Sequence, residues 1–233
     1  MIRIGLVLPP GFQAMSVAAM SAFELANACA ENGLYEITTL SERGGAISSS
    51  VGMSIDTQQF ATPCFDTLLV SGVLEVGPAT RGLIAFVRRS LPICRRIGSI
   101  CTGAFFLAEA GVLDGKRATT HWQFARELRD RFPKVKVEED RIFIVDGSVW
   151  TAAGMSAGLD LALGMIRRDF GAALARSVAQ RLSHPSSTRG CQSQHSPLPA
   201  LDAKSDRISK YKRNLREDLT VERLANIARL GRR

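Results

Sequence analysis

The chain opens on Ile2–Leu8, aliphatic with little alternation, as in a parallel strand covered on both faces. Pro9-Pro10-Gly11 ends it. Val17, Met20, Phe23, Leu25 and Ala28 then recur at helical spacing and predict a helix over Met15–Asn32. Tyr35–Leu40 reads as a second strand, and the Gly- and Ser-rich Ser41–Thr57 as a surface loop with a short hairpin arm. A buried strand, Thr67–Val70, breaks at Ser71-Gly72, and an amphipathic helix over Thr80–Ser90 closes at Leu91-Pro92. Strand–helix alternation in one direction predicts an α/β fold: a parallel sheet with right-handed crossovers, sandwiched by helices.

The stretch Arg95–Trp122 carries the densest chemical signal. Its apolar start suits a buried strand ending at Ile100, and Thr102–Leu113 suits a helix closed by Gly115. Cys101 then falls on a sharp strand-to-helix turn that Gly103 and Ala104 keep free of bulk. A helix N-terminus carries partial positive charge and unpaired amides, so a thiolate is favoured there and the thiol is expected to be partly exposed. Ala118–Thr120 reads as a short strand delivering His121. Cys29, Cys64 and Cys94 have no chemical neighbours in sequence and read as core.

A charged helix over Trp122–Arg131 follows, then strands at Val135–Val137, Arg141–Val145 and Val149–Ala152, with Asp146-Gly147 as a tight turn. The small residues Ala153-Gly154-Met155-Ser156 lead into an apolar helix over Ala157–Arg168 that carries Asp160. A last helix over Phe170–Leu182 completes a first domain, 1–182.

ICTGAFFLAEAGVLDGKRATTHW resembles the elbow of the PfpI-type branch of the class I glutamine amidotransferase-like superfamily. That resemblance runs from Ile2 to about Leu182 and implies a flavodoxin-like sheet. Within the branch the chain is most similar to the N-terminal half of AraC/XylS-family transcription regulators; isocyanide hydratases are the similar enzymes. Three enzymatic patterns each lack a member. Thr102 stands where protease-like members have His, and Gln123 where amidotransferases have Glu. Ser16 falls where hydratases carry an acid on the first loop, and a hydroxyl cannot exchange protons near neutral pH.

Charge changes the picture of the last fifty residues. The net charge of the 233-residue chain is +8. Residues 183–233 hold 11 Lys/Arg against 5 Asp/Glu, so most of the excess lies there and suggests a polyanion-facing tail. Residues 183–203, rich in Ser and Pro, read as a linker, and His184, Cys191 and His195 within it match no zinc spacing. DRISKYKRNLREDLTVERLANIARL, in 204–233, resembles the opening of the AraC-type DNA-binding domain. The recognition helix lies beyond it, so the helix-turn-helix module is expected to be incomplete in this chain. Lys210, Lys212, Arg213 and Arg223 are the expected DNA-contacting residues. The odd count of five cysteines suits a reducing cytosol, no apolar run reaches about 20 residues, and a cytoplasmic protein is expected.

The expectation is a transcription regulator whose first domain senses a small metabolite without catalysis, as a homodimer and with no cofactor or metal. Gly11, Ser16, Ser71, Gly72, Cys101, Thr102 and His121 are the expected ligand-binding residues, around one pocket over the strand ends. The alternative is a cysteine-dependent hydrolase or hydratase of the isocyanide hydratase kind, with Cys101 as nucleophile and His121 beside it. The proton-exchanging partner that turnover requires separates the two.

Overall fold

The computed structural model describes residues 1–30, 33–154 and 156–183, and the first compact unit runs Met1–Leu182. Its first half comprises β1 (Ile2–Val7), α1 (Met15–Ala28), β2 (Tyr35–Ser41), β3 (Gly45–Ser48), β4 (Ser54–Gln59), β5 (Thr67–Val70) and α2 (Arg81–Ser90). Then come β6 (Arg96–Ile100), α3 (Gly103–Glu109), β7 (Arg117–Ala118), a 3-10 turn (Trp122–Phe124) and α4 (Ala125–Arg131). The unit closes with β8 (Lys136–Val137), β9 (Phe143–Asp146), β10 (Val149–Ala152), α5 (Ala157–Phe170) and α6 (Ala172–Ser183).

Eight strands form one sheet in the order β3-β4-β2-β1-β5-β6-β10-β9, and β7 pairs with β8 in a small second sheet. The six central strands are parallel, with Leu6 opposite Thr39 on one side and Leu69 on the other. Every residue of β5, β6 and β10 is buried, including the polar Thr67, Arg96, Ser99 and Thr151, as in strands covered on both faces. Both edge strands run antiparallel, as the hairpin arm expected within Ser41–Thr57 and the tight turn at Asp146-Gly147 imply. The connections explain it: the links 49–53 and Gly147-Ser148 are too short for a crossover and can only make hairpins.

Helix α1 packs on α5 and α2 packs on α3. The layer with α2 and α3 holds a large apolar cluster that includes Phe86, Phe105, Leu107 and Leu113. Thr80 caps α2 by accepting from Leu83 N at 3.1 Å. Helix α3 is shorter than its apolar run suggests, because Gly111, at φ 78°, closes it before Gly115. Val112 N donates to Leu107 O at 3.0 Å and Gly111 N to Ala108 O at 2.9 Å, the paired bonds of a Schellman cap. Among the described residues no helix is long and apolar enough to cross a membrane.

Candidate functional site

Cys101 follows the last residue of β6 with φ 56°, which makes it the one positive-φ residue other than glycine among those described. A side chain in this left-handed region carries local strain, tolerated where the surroundings fix the backbone. They do so on both sides. Cys101 N donates to Ala152 O at 3.0 Å, and Cys101 O accepts from the Thr120 hydroxyl at 2.9 Å. A Cβ on Gly103 would lie 2.3 Å from Val70 O, so only glycine lets α3 start this close to β5. The elbow in the backbone is as the sequence implies.

Its thiol is not. Cys101 is 1% exposed, and burial pushes the thiol above its ordinary range, against hydrogen bonds that favour the thiolate. Those bonds come from Thr102 and from the Gln13 side chain. The Thr102 hydroxyl has another engagement. It donates to Val73 O at 2.7 Å and accepts from Val73 N at 2.8 Å, so its single proton is committed to the 71–73 loop. The steady partners of the sulfur are therefore the Thr102 backbone N–H and the neutral amide of Gln13. The expectation of an exposed, easily ionised cysteine is corrected: desolvation outweighs the N-terminus of a helix only seven residues long.

Gln13 went unnoticed in the sequence because nothing local marks it; the loop's contacts place it. Phe12 bridges to Ser49 and Val73, and Gln13 N donates to Gly72 O at 2.9 Å, laying the first loop across the elbow. Ser16, on which the missing acid was placed, is fully buried, and its hydroxyl has no partner among the described residues. The Ser71 hydroxyl is likewise buried and unpaired. Gly72 lies against the turn, where a Cβ would meet Thr102 Oγ1 at 2.8 Å and Cys101 Cβ at 3.0 Å. Gly11 stands at the surface with φ 72°.

The residues expected around one pocket fall in different surroundings. Gly72, Cys101 and Thr102 come together, but as a sealed junction. A cavity of about 570 Å³ opens toward the β3–β4 hairpin and α2, walled by Phe60, Val73, Leu83 and Phe106, with Glu42, Arg43 and Glu75 among its polar side chains. A second cleft of about 360 Å³ is lined by His121, Trp122, Arg141, Ile142 and Asp160. Neither is lined by Gly11, Ser16, Ser71, Gly72, Cys101 or Thr102. His121 Nδ1 is shut off from solvent without a partner among the described residues, and burial pushes the Asp160 carboxyl above the usual carboxylate range. No hydrogen bond links Cys101 and His121 among the described residues. Cys29 is half-buried and Cys64 exposed, leaving Cys94 as the only one of the three in the core, at the edge of the α2–α3 layer. Among the described residues no group of three or more His, Cys, Asp or Glu could hold a metal ion. Lys210, Lys212, Arg213, Arg223 and the three residues His184, Cys191 and His195 lie outside the described residues.

Residues 7–168 match the model of the DJ-1/PfpI family, and they include β5, the elbow and the two hairpins. The chain belongs to the DJ-1/PfpI family. It is 28% identical over 239 residues to the HTH-type transcriptional regulator GbdR of Pseudomonas aeruginosa, covering 99% of this chain and 65% of that relative. It is also 34% identical over 142 residues to the isonitrile hydratase of Pseudomonas putida, 59% of this chain and 61% of the enzyme. Among solved structures, an AraC family transcriptional regulator from Pseudomonas putida superposes with a TM-score of 0.73 at 26% identity, covering 78% of this chain and all of that one. The chain thus spans just under two thirds of the length of the regulator it matches end to end.

Proposed function

We propose that this chain is a transcription regulator of the AraC/XylS type, whose DJ-1/PfpI domain senses a small metabolite and whose residues 204–233 belong to the DNA-binding module. The observation that carries this is the state of the elbow: the backbone turn would serve an enzyme, but here it holds a buried thiol, pushed above its ordinary range by desolvation, beside a neutral amide. Among the described residues no carboxylate or imidazole is bonded to the sulfur, which supports a non-catalytic reading because hydration and hydrolysis need proton exchange. Similarity to GbdR across 99% of the chain supports the same reading.

The effector occupies the 570 Å³ cavity, whose size lies in the range of small-molecule sites. Phe60, Leu83 and Phe106 supply an apolar bed, and Arg43 and Glu75 supply opposite charges. Val73 links this cavity to the elbow, since it lines the one and clamps Thr102 in the other. The elbow is a structural relay in this account, and the protein acts as a homodimer on DNA in the cytoplasm.

The DNA arm is tested by titrating the 233-residue chain against a labelled promoter duplex and a scrambled one. Four phosphate contacts, from Lys210, Lys212, Arg213 and Arg223, lower log K by roughly 3.6 per decade of salt, or about a hundredfold between about 50 and about 200 mM. Binding by these residues alone is expected to be weak and equal for both duplexes, because base readout needs side chains inserted in a groove. Binding independent of salt would contradict the assignment of these residues. Light scattering on the same sample reads the dimer.

A further inference from the structure

At the end of the sheet opposite Cys101, where β6 and β10 begin and α5 ends, a third cavity of about 220 Å³ opens. It is lined by Arg95, Arg96, Ser148, Trp150, Arg168 and Asp169. Arg96 is 4% exposed, and its Nε donates to Thr67 Oγ1 at 3.1 Å and its Nη2 to Asp169 Oδ2 at 2.6 Å. Its Nη1 is shut off from solvent and has no acceptor among the described residues. The indole Nε1 of Trp150 is in the same condition, in a residue that is 3% exposed.

The one carboxylate present is already engaged. Asp169 Oδ2 accepts from Arg96 and from the Tyr35 hydroxyl at 3.1 Å, while its Oδ1 is ion-paired with Arg95 Nη2 at 3.0 Å but accepts no hydrogen bond among the described residues. Arg168 stands over the Trp150 ring at 5.8 Å and has no carboxylate partner among the described residues. Three guanidiniums against one carboxylate leave a surplus of two positive charges on the cavity wall.

Basic residues in the last turn of α5 are accounted for by the carbonyls at that helix end. This does not reach Arg96, which comes from β6, or the indole N–H. Two buried donors without acceptors are costly, and both are relieved by the same kind of group, an anion with several oxygens. Carboxylate anions supply one negative charge and two oxygens in a plane; a phosphoryl group supplies up to two charges and oxygens in three directions. The geometry points to a phosphate site here, for inorganic phosphate or a small phosphate monoester, held by Arg95, Arg96, Arg168 and Trp150. Arg95 and Arg168 are exposed and form the approach, while Arg96 and Trp150 form the floor. The site shares no lining residue with the 570 Å³ cavity and stands apart from the proposed effector site.

Calorimetric titration of the full chain at fixed ionic strength tests it, with inorganic phosphate, glycerol phosphate and acetate as probes. Saturable one-site phosphate binding is expected, at least tenfold tighter than acetate. Trp150→Phe keeps the ring and removes the N–H, and Arg168→Gln removes an exposed guanidinium, so both variants should keep the wild-type circular dichroism spectrum. Each is expected to weaken phosphate about tenfold, while Arg43→Gln, on the 570 Å³ cavity, leaves it unchanged. Glycerol phosphate binding tighter than phosphate identifies a monoester as the occupant; the reverse order identifies the free anion. Absence of saturable binding, acetate binding as tightly as phosphate, or unchanged affinity in both variants overturns the site.

Discussion

Two influences act on the sulfur of Cys101 in opposite senses. Hydrogen bonds from Thr102 and Gln13 favour the thiolate, while enclosure by apolar neighbours favours the thiol, and enclosure is the larger. The sign follows directly: the thiolate fraction at neutral pH is lower than for an ordinary cysteine, and it rises only above the usual thiol range. Cys94 behaves alike, its thiol pushed up to about 11 by burial. Among the cysteines of the described residues, iodoacetamide labelling with peptide mass mapping should therefore find exposed Cys64 modified first, with Cys101 and Cys94 at least about tenfold slower near neutral pH. Cys101 reacting first would mean that the elbow opens in solution. At the same scale, Gly103→Ala drives a Cβ into the Val70 and Ser71 carbonyls, at 2.3 and 3.0 Å, where no flexible side chain can yield. Urea unfolding should show a loss of about 3 kcal/mol, and a neutral result would contradict the close approach of α3 to β5.

At the scale of elements, the central strands and most helices were legible because their signals are local. β10 has the bounds its apolar run predicts, and Thr80 caps α2 where the pattern begins. Glu42 reinforces that cap from the end of β2: it accepts from the Thr80 hydroxyl and lies against Gly82, in the first turn where negative charge is favourable. Thr80→Ala should cost about 1 kcal/mol in the same unfolding assay, and a cost near zero would show that Glu42 alone satisfies the turn. What was not legible depended on packing across the sheet. The length of α3 was set by Gly111 rather than Gly115, since the first glycine able to take φ 78° ends the helix. Sequence spacing placed Cys101 and His121 twenty residues apart on adjoining elements, yet it could not reveal that one would be sealed and the other line a separate cleft. Gln13 and Asp160 were invisible as site residues for the same reason: each matters through neighbours distant in sequence.

At the scale of the molecule, a DJ-1/PfpI sheet places its elbow at the carboxyl ends of parallel strands, where open α/β folds build sites. In this chain the loop carrying Phe12 and Gln13 closes over that position, and the cavity space moves aside to the β3–β4 hairpin and to His121. On the proposed reading, a chain that is 34% identical over 142 residues to an isonitrile hydratase serves binding and relay. The direct test is a turnover assay of the wild-type chain and Cys101→Ala with isocyanides, small amides and peptides. The account predicts that neither protein turns over any of them and that the two are indistinguishable. Clear turnover by the wild-type chain that Cys101→Ala abolishes would contradict it.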